Sequence, residues 1–151
     1  AMALSNRILV MKSGVVQQIG TPLEVYGSPA NRFVFEFIGL SCFLPADLSP
    51  SGMRINGVEH PWPNGQAPSA ELIATGKGLL AARPSEINFV GEGGVRGQVT
   101  RKVYLGETID YRVQIGEHEV RIQKGRRAPG PDVGEAIGLA FPRAYWYAAD
   151  D

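Results

Sequence analysis

Cysteine and histidine are the most reactive side chains in this sequence, and the 151 residues contain only Cys42, His60 and His118. A catalytic thiolate needs a base or positive charge nearby, whereas Cys42 stands in an apolar run, which predicts a buried and inert thiol. Three scattered ligands do not make the usual zinc site. The sequence also lacks a phosphate-binding loop, a nucleophile elbow and an HExxH helix. We therefore expect no catalytic, cofactor-binding or metal-binding residue in this chain.

A second possible chemistry is phosphate binding by the basic cluster of Arg121, Lys124, Arg126 and Arg127. Proteins that bind single-stranded nucleic acid combine such cations with aromatic residues on which bases stack. This segment has no interleaved aromatics, and the 15 Lys and Arg of the chain balance its 15 Asp and Glu. The pattern therefore favours a solvated loop and argues against a nucleic-acid partner.

The elements at the start of the chain are a hairpin and two short helices. Residues Arg7 to Gly20 read as two apolar strands around a Lys-Ser-Gly turn. Thr21-Pro22 with Glu24 predicts a capping box, and a second helix is expected from Pro29 to Ile38. One apolar face is expected on that helix, formed by Ala30, Phe33, Val34, Phe37 and Ile38, with Phe35 off the stripe.

After Leu40 the apolar periodicity changes to two, and glycines recur about every ten residues. Asn56-Gly57 predicts a two-residue hairpin turn, and the clearest strands are Val95 to Leu105 and Thr108 to Ile115. Five or six short strands of this kind favour a small barrel like that of the oligonucleotide/oligosaccharide-binding (OB) fold. The expected fold class is therefore mainly β, with an OB-like barrel after the hairpin and the two helices.

The first 39 residues resemble the end of the nucleotide-binding domain in the ATP-binding subunit of bacterial binding-protein-dependent ABC importers. The rest is similar to the appended regulatory domain of that family, called TOBE, which places the domain boundary between residues 1–39 and 40–151. The matching positions are the run Ala1 to Ile8, then Met11, Gly14, Gln18, Gly20, Pro22, Tyr26, Pro29, Phe33-Val34 and Phe37 to Gly39, followed by Ala82-Arg83-Pro84, Val99 to Gly106 and Gly134 to Pro142.

This resemblance implies that the residues that bind ATP and Mg²⁺ in the family lie upstream of Ala1, so the chain alone has no ATPase activity. It implies a second copy of the subunit and the membrane permease subunits as partners. The location implied is the cytoplasmic face of the bacterial inner membrane, without insertion into it. The longest apolar stretch, Phe33 to Leu44, is far too short to span a membrane.

The candidate regulatory or interface residues are Arg83, Glu86, Tyr145 and Trp146. A purely structural role competes in each case. Arg83 could rigidify a turn by pairing with a carboxylate such as Glu86, and Tyr145, Trp146 and Tyr147 could plug the barrel or close its end. The family commonly has Glu directly after Arg-Pro, where this chain has Ser85, and Asp where Asn6 stands.

Two other functions stay open at this point: a free-standing barrel that binds single-stranded nucleic acid, and an oxyanion-binding barrel pair of the molybdate type. Iron or polyamines are the favoured cargo of the importer, with sulfate and sugars as alternatives. Fold class alone does not decide among these functions.

Overall fold

The computed structural model describes residues 7–149, so the departure at Asn6 lies outside it. Within these residues the chain divides into two compact units, residues 7–41 and residues 42–149. The sequence predicted a boundary two residues earlier.

The first unit is built from a hairpin and two short helices: β1 (Ile8–Lys12), β2 (Val15–Gly20), α1 (Pro22–Gly27) and α2 (Arg32–Phe37). The predicted hairpin is confirmed, with Ser13 and Gly14 both at positive φ in its turn. The capping box is also present, because the Thr21 hydroxyl accepts from the Glu24 amide at 3.2 Å and the Glu24 carboxylate accepts from the Thr21 amide at 2.9 Å. Val10, Val25 and Val34 form the small core of this unit.

The second helix is shorter than predicted and begins after Asn31, whose side chain accepts from the Val34 amide at 3.0 Å. The reason lies in Gln18, which donates to the Ser28 carbonyl and accepts from the Ala30 amide, so those backbone groups are bonded to β2. The predicted apolar face is confirmed only in part. Val34 lies in the core of this unit and Phe33 and Ile38 pack against it, whereas Ala30 is exposed. Phe37 is 66% exposed, whereas Phe35 is fully buried.

The second unit contains two five-stranded sheets among its described residues. One sheet has the order β12-β6-β3-β4-β5 and the other β10-β9-β8-β11-β7. Their strands are β3 (Cys42–Ser49), β4 (Gly52–Ile55), β5 (Val58–His60), β6 (Lys77–Ala82), β7 (Asn88–Val90), β8 (Val95–Leu105), β9 (Thr108–Ile115), β10 (His118–Gly125), β11 (Ala136–Ala140) and β12 (Tyr145–Tyr147). Short 3-10 turns occupy Pro63–Gly65 and Pro84–Glu86, and α3 spans Ala70–Thr75.

The mainly β, OB-like fold class is confirmed, although the strands form two sheets rather than one closed barrel. Both sheets contribute to a single core, which includes Leu44 and Leu80 from one sheet and Val99, Val113 and Ile122 from the other. The strands β8 and β9 match the predicted bounds, and the inward residues of β9 are buried as their alternation predicts. The predicted Asn56-Gly57 turn is confirmed, with φ values of 52° and 78°.

Candidate functional site

The four residues selected from the sequence lie on two adjoining elements of the second unit. Tyr145 and Trp146 are on β12, which pairs with β6 so that Tyr145 faces Ala81. Arg83 follows β6 directly, and Glu86 ends the 3-10 turn that comes next. The Glu86 amide donates to the Arg83 carbonyl at 2.9 Å and closes this turn.

Arg83 is a core residue rather than a surface contact, because only 3% of it is exposed. Its positive charge acts on Tyr147, where burial raises the pKa of the phenol and the charge of Arg83 partly opposes that rise. The predicted pairing with Glu86 is not formed, since the Glu86 carboxylate makes no ion pair within residues 7–149. Arg83 therefore belongs to the packing between β6 and β12, and Glu86 is left available on the surface.

Trp146 is half-buried, and two contacts fix the position of its indole ring. Its indole stacks edge-on against Trp62 with the ring centroids 5.7 Å apart, and its Nε1 donates to the Gln66 carbonyl at 2.8 Å. A buried indole N–H needs such an acceptor. The ring is therefore fixed in place.

Gln66 joins the loop after β5 to the segment between β11 and β12. Its side-chain amide donates to the Pro142 carbonyl at 2.6 Å and accepts from the Ala144 amide at 3.0 Å. These two bonds fix the backbone on both sides of Arg143. Together with the Trp146 contact they form a unit that we call the Gln66 clamp. No local signal in the sequence marks the clamp.

An ion cluster on β9 and β10 was also missed. Asp110 is only 6% exposed and accepts from Arg121 Nε at 2.7 Å and from Arg112 Nε at 3.4 Å. Arg112 also reaches Glu119 at 3.4 Å. Arg112 and Arg121 are cross-strand neighbours, and the carboxylate offsets the repulsion between them. The register of the strands creates this cluster.

The basic cluster expected from the sequence does not converge on one point in the structure. Arg121 bonds Asp110, Lys124 donates to the Asn88 side chain at 2.7 Å, and Arg126 and Arg127 are exposed. Partial burial lowers the pKa of Lys124. Only Arg126 and Arg127 lie in the exposed loop that the sequence favoured, because Arg121 and Lys124 lie on β10.

Cys42 is buried, and its Sγ donates to the Arg121 carbonyl at 2.8 Å. Burial raises the pKa of this thiol to about 11, which agrees with the predicted inert residue. Within residues 7–149 no group of three or more His, Cys, Asp or Glu side chains is placed to hold a metal ion. Over the same residues, no helix combines the length and apolar character that crossing a membrane requires.

A profile of the TOBE domain family matches residues 80–148, which spans β6 to β12 and includes all four candidate residues. The chain is 34% identical to the spermidine/putrescine import ATP-binding protein PotA of Pseudomonas fluorescens, over 95% of the chain and 41% of that protein. It is 31% identical to the Fe(3+) ions import ATP-binding protein FbpC of Escherichia coli K12, over 99% of the chain and 42% of that protein. A similar protein from Rhizobium etli is 35% identical over 76% of the chain and 33% of its own length.

The chain is a TOBE-domain protein. It belongs to the ATP-binding subunits of ABC importers, and it corresponds to their C-terminal part. It spans about two fifths of the length of the curated relatives that it matches over nearly all of its residues.

Proposed function

We propose that this chain is the regulatory and dimerisation part of the ATP-binding subunit of an ABC importer. The observation that carries the proposal is the match of 95% of the chain to an importer ATP-binding protein, together with the TOBE domain at residues 80–148. In the full-length subunit, ATP and Mg²⁺ bind upstream of these residues. The subunit then works at the cytoplasmic face of the bacterial inner membrane, against the membrane permease subunits.

The outer face of the β1–β2 hairpin supports a packing role for the first unit. Leu9 lies opposite Ile19 and Met11 opposite Val16, and all four side chains are about half exposed. An isolated hairpin is marginally stable in water, and exposed apolar side chains in one group mark a packing surface. In the proposal this face packs on the nucleotide-binding part of the same subunit.

The TOBE domain holds two copies of the subunit together. Nucleotide-binding parts that open when ATP leaves would separate unless a second contact joined them. A domain with little net charge and a complete core suits this mechanical role better than it suits catalysis. In the proposal, each importer therefore contains two copies of this domain in contact.

Dimerisation and the absence of ATP binding are tested on the chain itself. Sedimentation equilibrium over a wide concentration range should show reversible formation of a dimer, and titration with Mg-ATP should give no heat. Tight ATP binding by these residues would refute the assignment of the nucleotide site to an upstream part.

The proposed cargo is ferric iron or a polyamine, because relatives named for each match the chain at 31–35% identity. Disruption of the gene in its own organism, followed by uptake of radiolabelled ferric iron and spermidine, separates the two. Loss of one uptake activity identifies the cargo. Unchanged uptake of both would overturn this part of the proposal.

A further inference from the structure

An open groove lies beside the turn that carries Glu86. It is a shallow surface groove of about 540 Å³, lined by Gln66, Glu86, Asn88, Pro142 and Arg143. None of the contacts described above fills it.

Two opposite charges line this groove without neutralising each other. Neither the Glu86 carboxylate nor the Arg143 guanidinium forms an ion pair with a residue of the described chain 7–149. Both therefore remain able to bind a ligand. A carboxylate recognises an ammonium group, and a guanidinium recognises a carboxylate in its own plane.

The backbone beneath each charge is fixed. The Gln66 clamp bonds the peptide on either side of Arg143, at 2.6 Å and 3.0 Å. On the other wall, the Glu86 amide is bonded to the turn and the next residue, Ile87, is fully buried. A backbone that is already fixed has less entropy to lose when a ligand binds.

Asn88 adds a directed donor to the groove. Its Oδ1 accepts from Lys124 Nζ at 2.7 Å, which leaves its amide N–H groups available to bond elsewhere. Together with Arg143 it provides donors for a carboxylate, while Glu86 provides the acceptor for an ammonium group. The groove is thus complementary to a molecule with both charges.

We propose that this groove binds a free amino acid, with its ammonium group at Glu86 and its carboxylate at Arg143 and Asn88. A ligand with only one of these groups leaves the opposite charge of the groove without a partner. The site goes beyond the dimerisation role, because it would give the TOBE domain a small-molecule signal to sense.

The test uses nuclear magnetic resonance of the ¹⁵N-labelled chain with an equimolar mixture of the twenty common amino acids as the probe. We expect shifts at the amides of Glu86 and Asn88 and at the Nε–H of Arg143. The N-acetyl and carboxamide derivatives of any amino acid that binds each lack one charge, and both should bind at least about tenfold more weakly.

Three variants provide the controls. Glu86→Gln should lose binding, whereas Arg126→Gln removes an exposed charge that does not line the groove and should bind normally. The double variant Ser85→Glu with Glu86→Ser keeps composition and net charge but moves the carboxylate one residue along the turn, so it should also lose binding. Wild-type circular dichroism in each variant shows that the fold is intact.

Three results would overturn the proposal: no shifts with the amino-acid mixture, equal binding of the singly charged derivatives, or shifts at the groove that depend only on protein concentration. The last would identify a second copy of the chain as the occupant. Since dimerisation is measured separately by sedimentation, failure of the amino-acid site leaves the proposed function unaffected.

Discussion

Replacement of Gln66 tests whether the Gln66 clamp stabilises the second unit. Gln66→Ala removes the side-chain bonds to the Pro142 carbonyl and the Ala144 amide, but keeps the backbone carbonyl that accepts from Trp146. Each bond contributes about 1 kcal/mol, and both are partly reached by water. We therefore expect the free energy of unfolding to fall by about 1–2 kcal/mol.

The substitution Gln66→Glu makes the bond to the Pro142 carbonyl depend on pH, while the bond from the Ala144 amide persists. A carboxylate still accepts from the Ala144 amide but cannot donate to the Pro142 carbonyl, and only the protonated acid can make both bonds. This raises the folded-state pKa of the new residue above the ordinary value of about 4.3. The variant should approach wild-type stability below that value and lose stability as pH rises through the folded-state pKa.

Urea unfolding followed by tryptophan fluorescence is a direct assay, because Trp62 and Trp146, the two tryptophans of the chain, lie at the clamp. Gln123→Ala is the matched control. Gln123 is a half-buried glutamine on β10 with no side-chain hydrogen bond among residues 7–149, so its loss should cost well under 1 kcal/mol. Equal stability losses in Gln66→Ala and Gln123→Ala would refute the assignment of stability to the clamp.

Three other predictions concern the core and the ion cluster. The Cys42 thiol has a pKa of about 11, so roughly one part in a thousand should be ionised at pH 8. Ellman's reagent should therefore label it only at the rate at which the protein unfolds, and rapid labelling would contradict its burial. Asp110→Asn should lower the free energy of unfolding by about 1–2 kcal/mol, because two guanidinium groups, each about a third exposed, lose their counter-charge. This loss should shrink in 1 M salt, and a salt-independent loss in urea unfolding would count against the ion cluster. Gly52→Ala would place a Cβ against the His60 carbonyl and should lower the free energy of unfolding by about 1–3 kcal/mol. In the control Gly91→Ala, the new Cβ meets nothing within 4 Å, so equal melting temperatures of the two variants would refute the close approach at Gly52.

Elements with local signals were predictable from the sequence. The Asn56-Gly57 turn needs two residues at positive φ, which these types tolerate, and the alternation along β9 identifies its buried face. The missed helix α3 also has local signals. Ser69 caps its first turn by accepting from the Leu72 amide at 3.2 Å, and Gly76 ends it at a φ of 79°.

The candidate site was predictable only as a set of residues, because its geometry depends on contacts between distant parts of the chain. Gln66 bonds residues 76–80 positions away, so nothing near it in sequence marks its role. The same reason applies to Asp110, which meets Arg121 only once β9 and β10 are in register. Separation into two sheets likewise depends on which distant strands pair.

The two units differ in how much stability their own cores can supply. The second unit has a core of nineteen buried residues drawn from both sheets, enough for independent folding. The first has a cluster of three buried valines, and one face of its hairpin is apolar and about half exposed. Since apolar burial supplies most of the free energy of folding, the first unit should be the first to open. Its stability therefore depends on what covers that face, which in the proposed subunit is the nucleotide-binding part.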